Sequence, residues 1–362
     1  MNILHVDAHA SLCLDLADIF ARLGHRTHSW CVSRAAWFAR GAQDPAVSAL
    51  LQSRIDEDAC DRFHRAFAGA LECFDVIVVD HPVSYAALFA RLGRPVVAMA
   101  TTRYDLGAVE DPPVWAWLDR TIAEMFDRGQ LIPLSNNRGD RAYGRHRFGF
   151  DWPTIPSLCE YCRIDYTGEH GRWLRTTLAE PPLPQPYAWS DLGRFRGIGH
   201  VPYNCSQMSV FEQYSAAIPL AFPTPERLLA LAVSGEMGAM TQVSSLRVAG
   251  RPPGADWNAY DDRRTLAQWV EVCDWYDDEW MPAIVQLDDV GDQGRLAAVD
   301  ARSVSRRMAD DQPRRRREIL ARWRRVLDGA GDRGHASTGA SASVSSNGRS
   351  SDTIEVNGRN TR

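Results

Sequence analysis

Over its first 135 residues the chain alternates short apolar runs with segments of helical period, and that alternation leaves few folds open. "NILHVD" is an apolar run, and "AHASLCLDLADIFARLGH" follows it with Leu12, Leu16, Ile19, Phe20 and Leu23 at helical spacing and Gly24 as a stop. "RTHSWCVS" returns to strand-like residues. The pattern repeats with "FDVIVVD" (74–80), a helix over 83–93, "RPVVAMAT" (94–101), a helix over about 114–128 and the strand "QLIPLS". Strands this apolar are buried on both faces, and strands alternating with helices pair in parallel, so a doubly wound α/β sheet is expected. Ligands on such sheets lie at the carboxyl ends of the strands, here "DAHAS", "DHP" and "TTRYD".

The rest of the 362 residues exceeds one core, and a second domain is expected. "WPTIPSLCEY" reads as one more short strand, and residues 166–197, rich in Pro, Gly and Arg, mark a boundary near 160–170. Beyond it, "GIGHVPYNCSQMSVFEQYSAAIPLAFP" reads as strand, helix, strand, and a long helix is expected over about 263–280. "RRRREILARWRRVL" places Ile319, Leu320, Trp323 and Leu327 on one face of a basic helix. From Gly329 onward the Gly/Ser/Asn-rich text reads as a disordered tail.

Composition narrows the chemistry. All 41 basic residues are arginine, which removes a lysine-containing phosphate loop, a Schiff base to pyridoxal and an amine nucleophile. A bound phosphate must then be held by arginine forks, backbone N–H groups or helix N-termini. The formal charge of -5 gives no reason to expect nucleic acid as partner. No basic-then-apolar leader is read at the N-terminus and no run reaches roughly 18 apolar residues, so a cytoplasmic protein is expected. The eight cysteines suit reduced thiols, and only Cys159 and Cys162 form a CxxC, read as two small apolar residues in a connecting loop. Neither a metal nor a cofactor is expected. The absence of G-x-G-x-x-G after the first strand weighs against a nicotinamide enzyme.

Three segments carry a resemblance. "EQYSAAIPL" (212–220) resembles the Glu-led helix, small residues and apolar-Pro-apolar strand of the donor site in GT-B glycosyltransferases. "HVDAHAS" with "LADIFARLGH" is similar to their first strand, small-residue loop and helix, and "TIPS" to the segment leading into their interdomain linker. The resemblance implies two Rossmann-like domains facing a cleft: an acceptor domain over 1–162, a trimmed donor domain over 163–305, and a helix over 306–328 packing back on the first, before the 329–362 tail. It further implies a metal-independent transfer from a sugar nucleotide, as substrate and not cofactor, to a hydroxyl acceptor. Glu212 would accept hydrogen bonds from the donor ribose, as a carboxylate does from paired hydroxyls. Asn204 stands eight positions earlier, where retaining members carry an acid, and offers an amide instead. Ser206 and Ser209 accompany it as candidate helix caps and donor-side residues, and Arg163, Arg194 and Arg196 are the nearby candidates for the diphosphate.

On the acceptor side, His9 lies just beyond the first strand as candidate base, with Asp80 or Asp105 to orient it and His81 as a weaker base. Ser11, Asn136 and Asn137 are candidate acceptor-side groups. A sugar-nucleotide epimerase of the same fold and a non-catalytic binding scaffold are the alternative readings. For the basic helix over 314–327, contact with a membrane surface is the alternative to packing.

Overall fold

The computed structural model describes residues 1–33, 47, 49, 51, 54–102, 104, 111–176, 188–202, 204–234 and 263–341, with side chains over 266–333 in the last stretch. The first sheet has five parallel strands in the order β2-β1-β3-β4-β5: β1 (Asn2–Asp7), β2 (Arg26–Cys31), β3 (Val76–Val79), β4 (Val96–Ala100) and β5 (Leu131–Ser135). Helices α1 (Ala10–Arg22), α2 (Glu57–Leu71), α3 (Pro112–Asp127) and α4 (Arg138–Phe148) flank it. All four residues of β3 are buried, as two-sided coverage of a parallel strand requires. Asp111 caps α3 by accepting the Val114 N–H at 3.1 Å, and Pro112 and Pro113 occupy the first turn, where no amide donor is missed.

The second sheet has four parallel strands in sequential order: β6 (Trp173–Thr176), β7 (Gly197–His200), β8 (Leu220–Pro223) and β9 (Val285–Leu287). Helices α5 (Met208–Ser215), α6 (Pro225–Ser234) and α7 (Arg263–Glu271) accompany it. The chain is thus an α/β protein with two Rossmann-like units, the second the smaller.

Helix α8 (Ala301–Ser341) joins them. Ile319, Trp323 and Leu327 are at most 1% exposed, and Trp323 meets Phe20 of α1 edge-on at 5.1 Å. The apolar stripe is therefore covered by protein. No helix among the described residues is long and apolar enough to cross a membrane. Arg315, fully buried amid a surface-like run of arginines, donates to Ser157 O at 3.1 Å and Gln312 Oε1 at 3.0 Å, with its guanidinium over the Tyr214 ring. It ties the connecting segment, which runs from α4 to β6, to α5.

Several expected elements differ in detail. Residues 83–93 form a 3₁₀ helix only over Val83–Phe89, a short, wholly buried segment closed by i→i+3 bonds such as Tyr85 N–H to Pro82 O at 3.2 Å. "WPTIPSLCEY" contributes a single bridge, Thr154 to Ser135, because it runs along the edge of β5 only briefly. The helix expected over 263–280 ends at Glu271: the Asp274 N–H donates instead to Cys205 O at 3.2 Å, a tertiary bond that replaces the next helical one. The last helix begins at Ala301 and passes through Gly329 to Ser341, while 342–362 lie outside the described residues.

His200, 3% exposed at the end of β7, gives the fold a pH dependence. Its Nε2 donates to Gln213 Oε1 at 2.7 Å and its Nδ1 pairs with the Thr176 hydroxyl at 3.0 Å, so the neutral ring is satisfied on both sides. Burial pushes its pKa down to about 4, against a small upward effect of Gln213. The unfolded chain, with an ordinary histidine near 6.5, takes up the proton first as pH falls. The contribution is therefore complete above about pH 6.5 and lost on the way to pH 4, costing on the order of 2 kcal/mol between about pH 7 and pH 5. The loss of unfolding free energy between those two pH values, measured by urea titration, should be smaller by about 2 kcal/mol in His200→Gln than in the native chain.

Candidate active site

The carboxyl edges of the two sheets meet. His9 is the N-cap of α1, directly after β1, and Ser11 stands in that helix's first turn. Glu212 lies on α5, the first helix after β7, and its carboxylate accepts hydrogen bonds from the hydroxyls of Tyr161 and Ser11. Glu212 is 8% exposed, and burial raises its pKa while these two hydroxyls lower it. The charge at residue 212 thus neither faces bulk solvent nor serves as a cap; it spans the seam between the units. Tyr161, in the connecting segment, was not expected from sequence, since nothing in "CEYC" distinguishes it until the segment is folded against α1 and α5.

On the first unit, the His9 backbone N–H donates to Asp7 Oδ1 at 2.7 Å, which fixes the turn. Its ring meets that of His81 edge-on at 5.9 Å, and Nδ1 is buried without a hydrogen-bond partner. Burial lowers the His9 pKa, opposed by the nearby Asp80 charge, so the ring is held toward its neutral form. His81 is lowered further, to about 4, by burial and by His9.

Asp80 does not orient His9. Its Oδ2 accepts from His5 Nε2 at 2.8 Å and its Oδ1 from the His81 N–H at 2.9 Å. The reason is register: β1 and β3 pair with Val6 opposite Val79, which seats Asp80 beside Asp7 and within reach of His5, one residue pair back on the same face. Asp105 lies outside the described residues. His5 and Asp7 were also not expected as site residues, although two polar residues at i and i+2 in an apolar strand mark one face by themselves.

Asn136 and Asn137 are internal. Asn137 caps α4 by accepting the Asp140 N–H at 2.8 Å, and its amide donates to Asp140 Oδ2 at 2.6 Å and Asn136 Oδ1 at 2.7 Å. That set leaves Asn137 no free amide hydrogen for a sugar. On the second unit, buried Asn204 turns its Oδ1 onto the Cys205 N–H at 2.7 Å. Ser206 hydrogen-bonds the buried Asp274, whose pKa burial raises well above the usual carboxylate range. Ser209 stands half-buried in the first turn of α5, and Gln207, the N-cap, makes no side-chain cap.

The three arginines expected at a diphosphate do not gather there. Arg194 pairs with Glu169, and Arg196 donates to the carbonyls of Val299 at 2.8 Å and Ala297 at 3.1 Å. Both precede β7 and so stand at its amino end, opposite the edge where Glu212 lies. Arg163 is exposed at the end of the connecting turn. Two cavities, of about 530 and 500 Å³, open at the amino ends of β4 and β5 and along the edge of β5; neither is lined by His9 or Glu212.

No protein-family model matches the chain, and no curated protein matches it. Among solved structures the chain is similar to one described as the crystal structure of CalG4, the calicheamicin glycosyltransferase, at 15% identity and a TM-score of 0.35, over 95% of this chain and 99% of that one. A likeness of that size leaves the assignment to the chain's own topology and side chains.

Proposed function

We propose that the seam between the two carboxyl edges binds a sugar nucleotide and transfers its sugar to a hydroxyl acceptor. The observation that supports this reading is the contact of Glu212 with Ser11 and Tyr161, which joins elements at the carboxyl ends of two parallel sheets, the edge where such sheets bind ligands. A carboxylate already satisfied by two hydroxyls is chemically matched to a vicinal diol, so a ribose displaces Tyr161 and Ser11 without leaving the charge unpaired.

In this reading α5 offers its first-turn N–H groups, which the Gln207 side chain does not cap, to the donor phosphates, and no metal is needed to hold them. Asn204, Ser206 and Ser209 flank that turn. His9, held toward its neutral form, accepts the proton of the acceptor hydroxyl as it attacks the anomeric carbon, and Ser11 lies on the acceptor side. The bond from that carbon to the diphosphate oxygen breaks as the new bond forms, and the nucleoside diphosphate leaves with the negative charge.

Calorimetry with diphosphate sugars of uridine, thymidine and guanosine tests the site. One of them is expected to bind one-to-one, Glu212→Ala to lose at least about tenfold in affinity by removing a charged hydrogen-bonding partner, and Glu212→Gln to lose less because the amide keeps an acceptor. Failure of all three donors to bind, or undiminished binding by Glu212→Ala, would sink the ribose role. One observation favours a second reading: His9 has no carboxylate bonded to its ring, which suits a scaffold that binds without turnover. Binding with neither transfer nor isomerised donor identifies it, whereas an isomerised donor identifies an epimerase.

A further inference from the structure

Beneath the turn that carries His9 lies a set of side chains that the transfer reading does not use. His5 and Asp7, on one face of β1, are both 0% exposed, and Cys13, in the first turns of α1, is 2% exposed. One ligand atom of each lies within 4.8 Å of the other two, the Cys13 thiol standing 3.7 Å from Asp7 Oδ2. Cys31 ends β2 as the register partner of Asp7, and its thiol is hydrogen-bonded to that of Cys13. Asp80 adds a second buried carboxylate, hydrogen-bonded to Asp7 and to His5. The other ring nitrogen of His5, Nδ1, is buried with no partner.

A purely structural account of this set is poor. Two carboxylates, an imidazole and two thiols are buried together, and among the described residues no arginine is bonded to any of them. An acidic pair packed this way without a cation must keep a proton between its oxygens, and a buried ring nitrogen left unpaired forfeits a hydrogen bond. Imidazole, carboxylate and thiolate are, by contrast, the ligand types of a tetrahedral zinc site, where ligand atoms stand at about 2.0–2.3 Å from the metal. The present spacing closes onto such radii with side-chain shifts of roughly 1 Å. The Asp80–His5 hydrogen bond is the outer-shell carboxylate that commonly orients a metal-bound imidazole.

We propose that His5, Asp7 and Cys13 bind one divalent cation of zinc type at the carboxyl end of β1, with Cys31 supplying the fourth ligand and Asp80 positioning His5. Binding releases the thiol protons of Cys13 and Cys31 and the proton held between the carboxylates. With four protein ligands and no access to solvent the site is structural: it pins β1, β2 and the first turns of α1 to one another, and so holds the His9 turn in place. It is independent of the transfer reading.

Cobalt titration of the full chain, reduced and stripped with chelator, tests this. Saturation at one equivalent is expected, with the visible bands of tetrahedral cobalt and a thiolate-to-cobalt charge-transfer band, both erased by zinc. Cys13→Ser should weaken binding at least about tenfold and diminish the charge-transfer band, while a Cys159→Ser/Cys162→Ser chain keeps the full spectrum. Should Cys13→Ser not fold, Cys31→Ser decides, since it should leave about half the charge-transfer intensity. No saturable cobalt spectrum in the reduced chain overturns the proposal. So does a spectrum unchanged by both Cys13→Ser and Cys31→Ser, or one lost with Cys159 and Cys162.

Discussion

Trp323→Ala is expected to lower the unfolding free energy by about 3–5 kcal/mol, the cost of emptying a fully buried indole site. The side chain is 1% exposed, its neighbours Ile319 and Leu327 are fully buried, and it closes edge-on against Phe20, so α1 and α8 lose their common contact together. Leu320→Ala, at a position only partly buried, should cost clearly less. The measurement is the shift in urea midpoint followed by circular dichroism, with vesicle sedimentation alongside. An unchanged midpoint together with reduced binding to anionic vesicles would mean that the stripe serves a membrane and not the core.

The second large effect concerns rate. His9→Ala should reduce sugar transfer by about 10²–10⁴-fold, the usual contribution of a positioned general base, while donor affinity measured by calorimetry stays within about twofold. Folding should be unaffected, because the His9 interaction with Asp7 runs through the backbone N–H, which alanine retains. His9→Gln, which keeps a polar side chain but takes up no proton, should fall as far as alanine. A variant that retained most of its turnover would remove His9 from the chemistry and leave Glu212 as a binding residue alone.

The two variants separate what each unit contributes. In the proposed site Glu212 would serve the donor and His9 the acceptor; α1 and α5, which carry them, both begin at the carboxyl edges of their sheets. The connecting segment holds that arrangement. Glu160 pairs with Arg22 of α1 at 2.8 Å and with Arg316 of α8 at 2.7 Å, and buried Asp15 accepts the Leu158 and Cys159 N–H groups at 3.1 and 2.6 Å. The cysteines of the CxxC thus belong to a turn anchored by its backbone. Asp15 itself is pushed up to about 7 by burial, with those two N–H groups acting in the opposite direction.

Much of the architecture was legible in the residues. β-branched runs such as Val76–Val79, helical spacing in Leu12, Leu16 and Ile19, and the proline pair after Asp111 are local features, and local sterics and burial turn them directly into strands, helices and caps. Glu212 was legible through the resemblance carried by "EQYSAAIPL", and its burial only through the structure.

What sequence alone determined is therefore most elements of the first sheet, their parallel sense and the carboxyl edge as the expected place of a ligand, while β6 and β9, of four and three residues, were too short to be read. Tertiary structure decided which side chains share that edge. Asp80 serves His5 and not His9 because strand register, set across 75 residues of chain, chooses its neighbour. Arg194 and Arg196 lie close to Glu212 in sequence yet stand at the other end of β7, because a strand carries its flanking residues to opposite edges of a sheet. Arg315 is buried and Tyr161 meets Glu212 only once α8 and the connecting segment have docked. Periodicity reports which face of an element is apolar; the partner of a polar group is fixed by long-range packing, which no local pattern encodes.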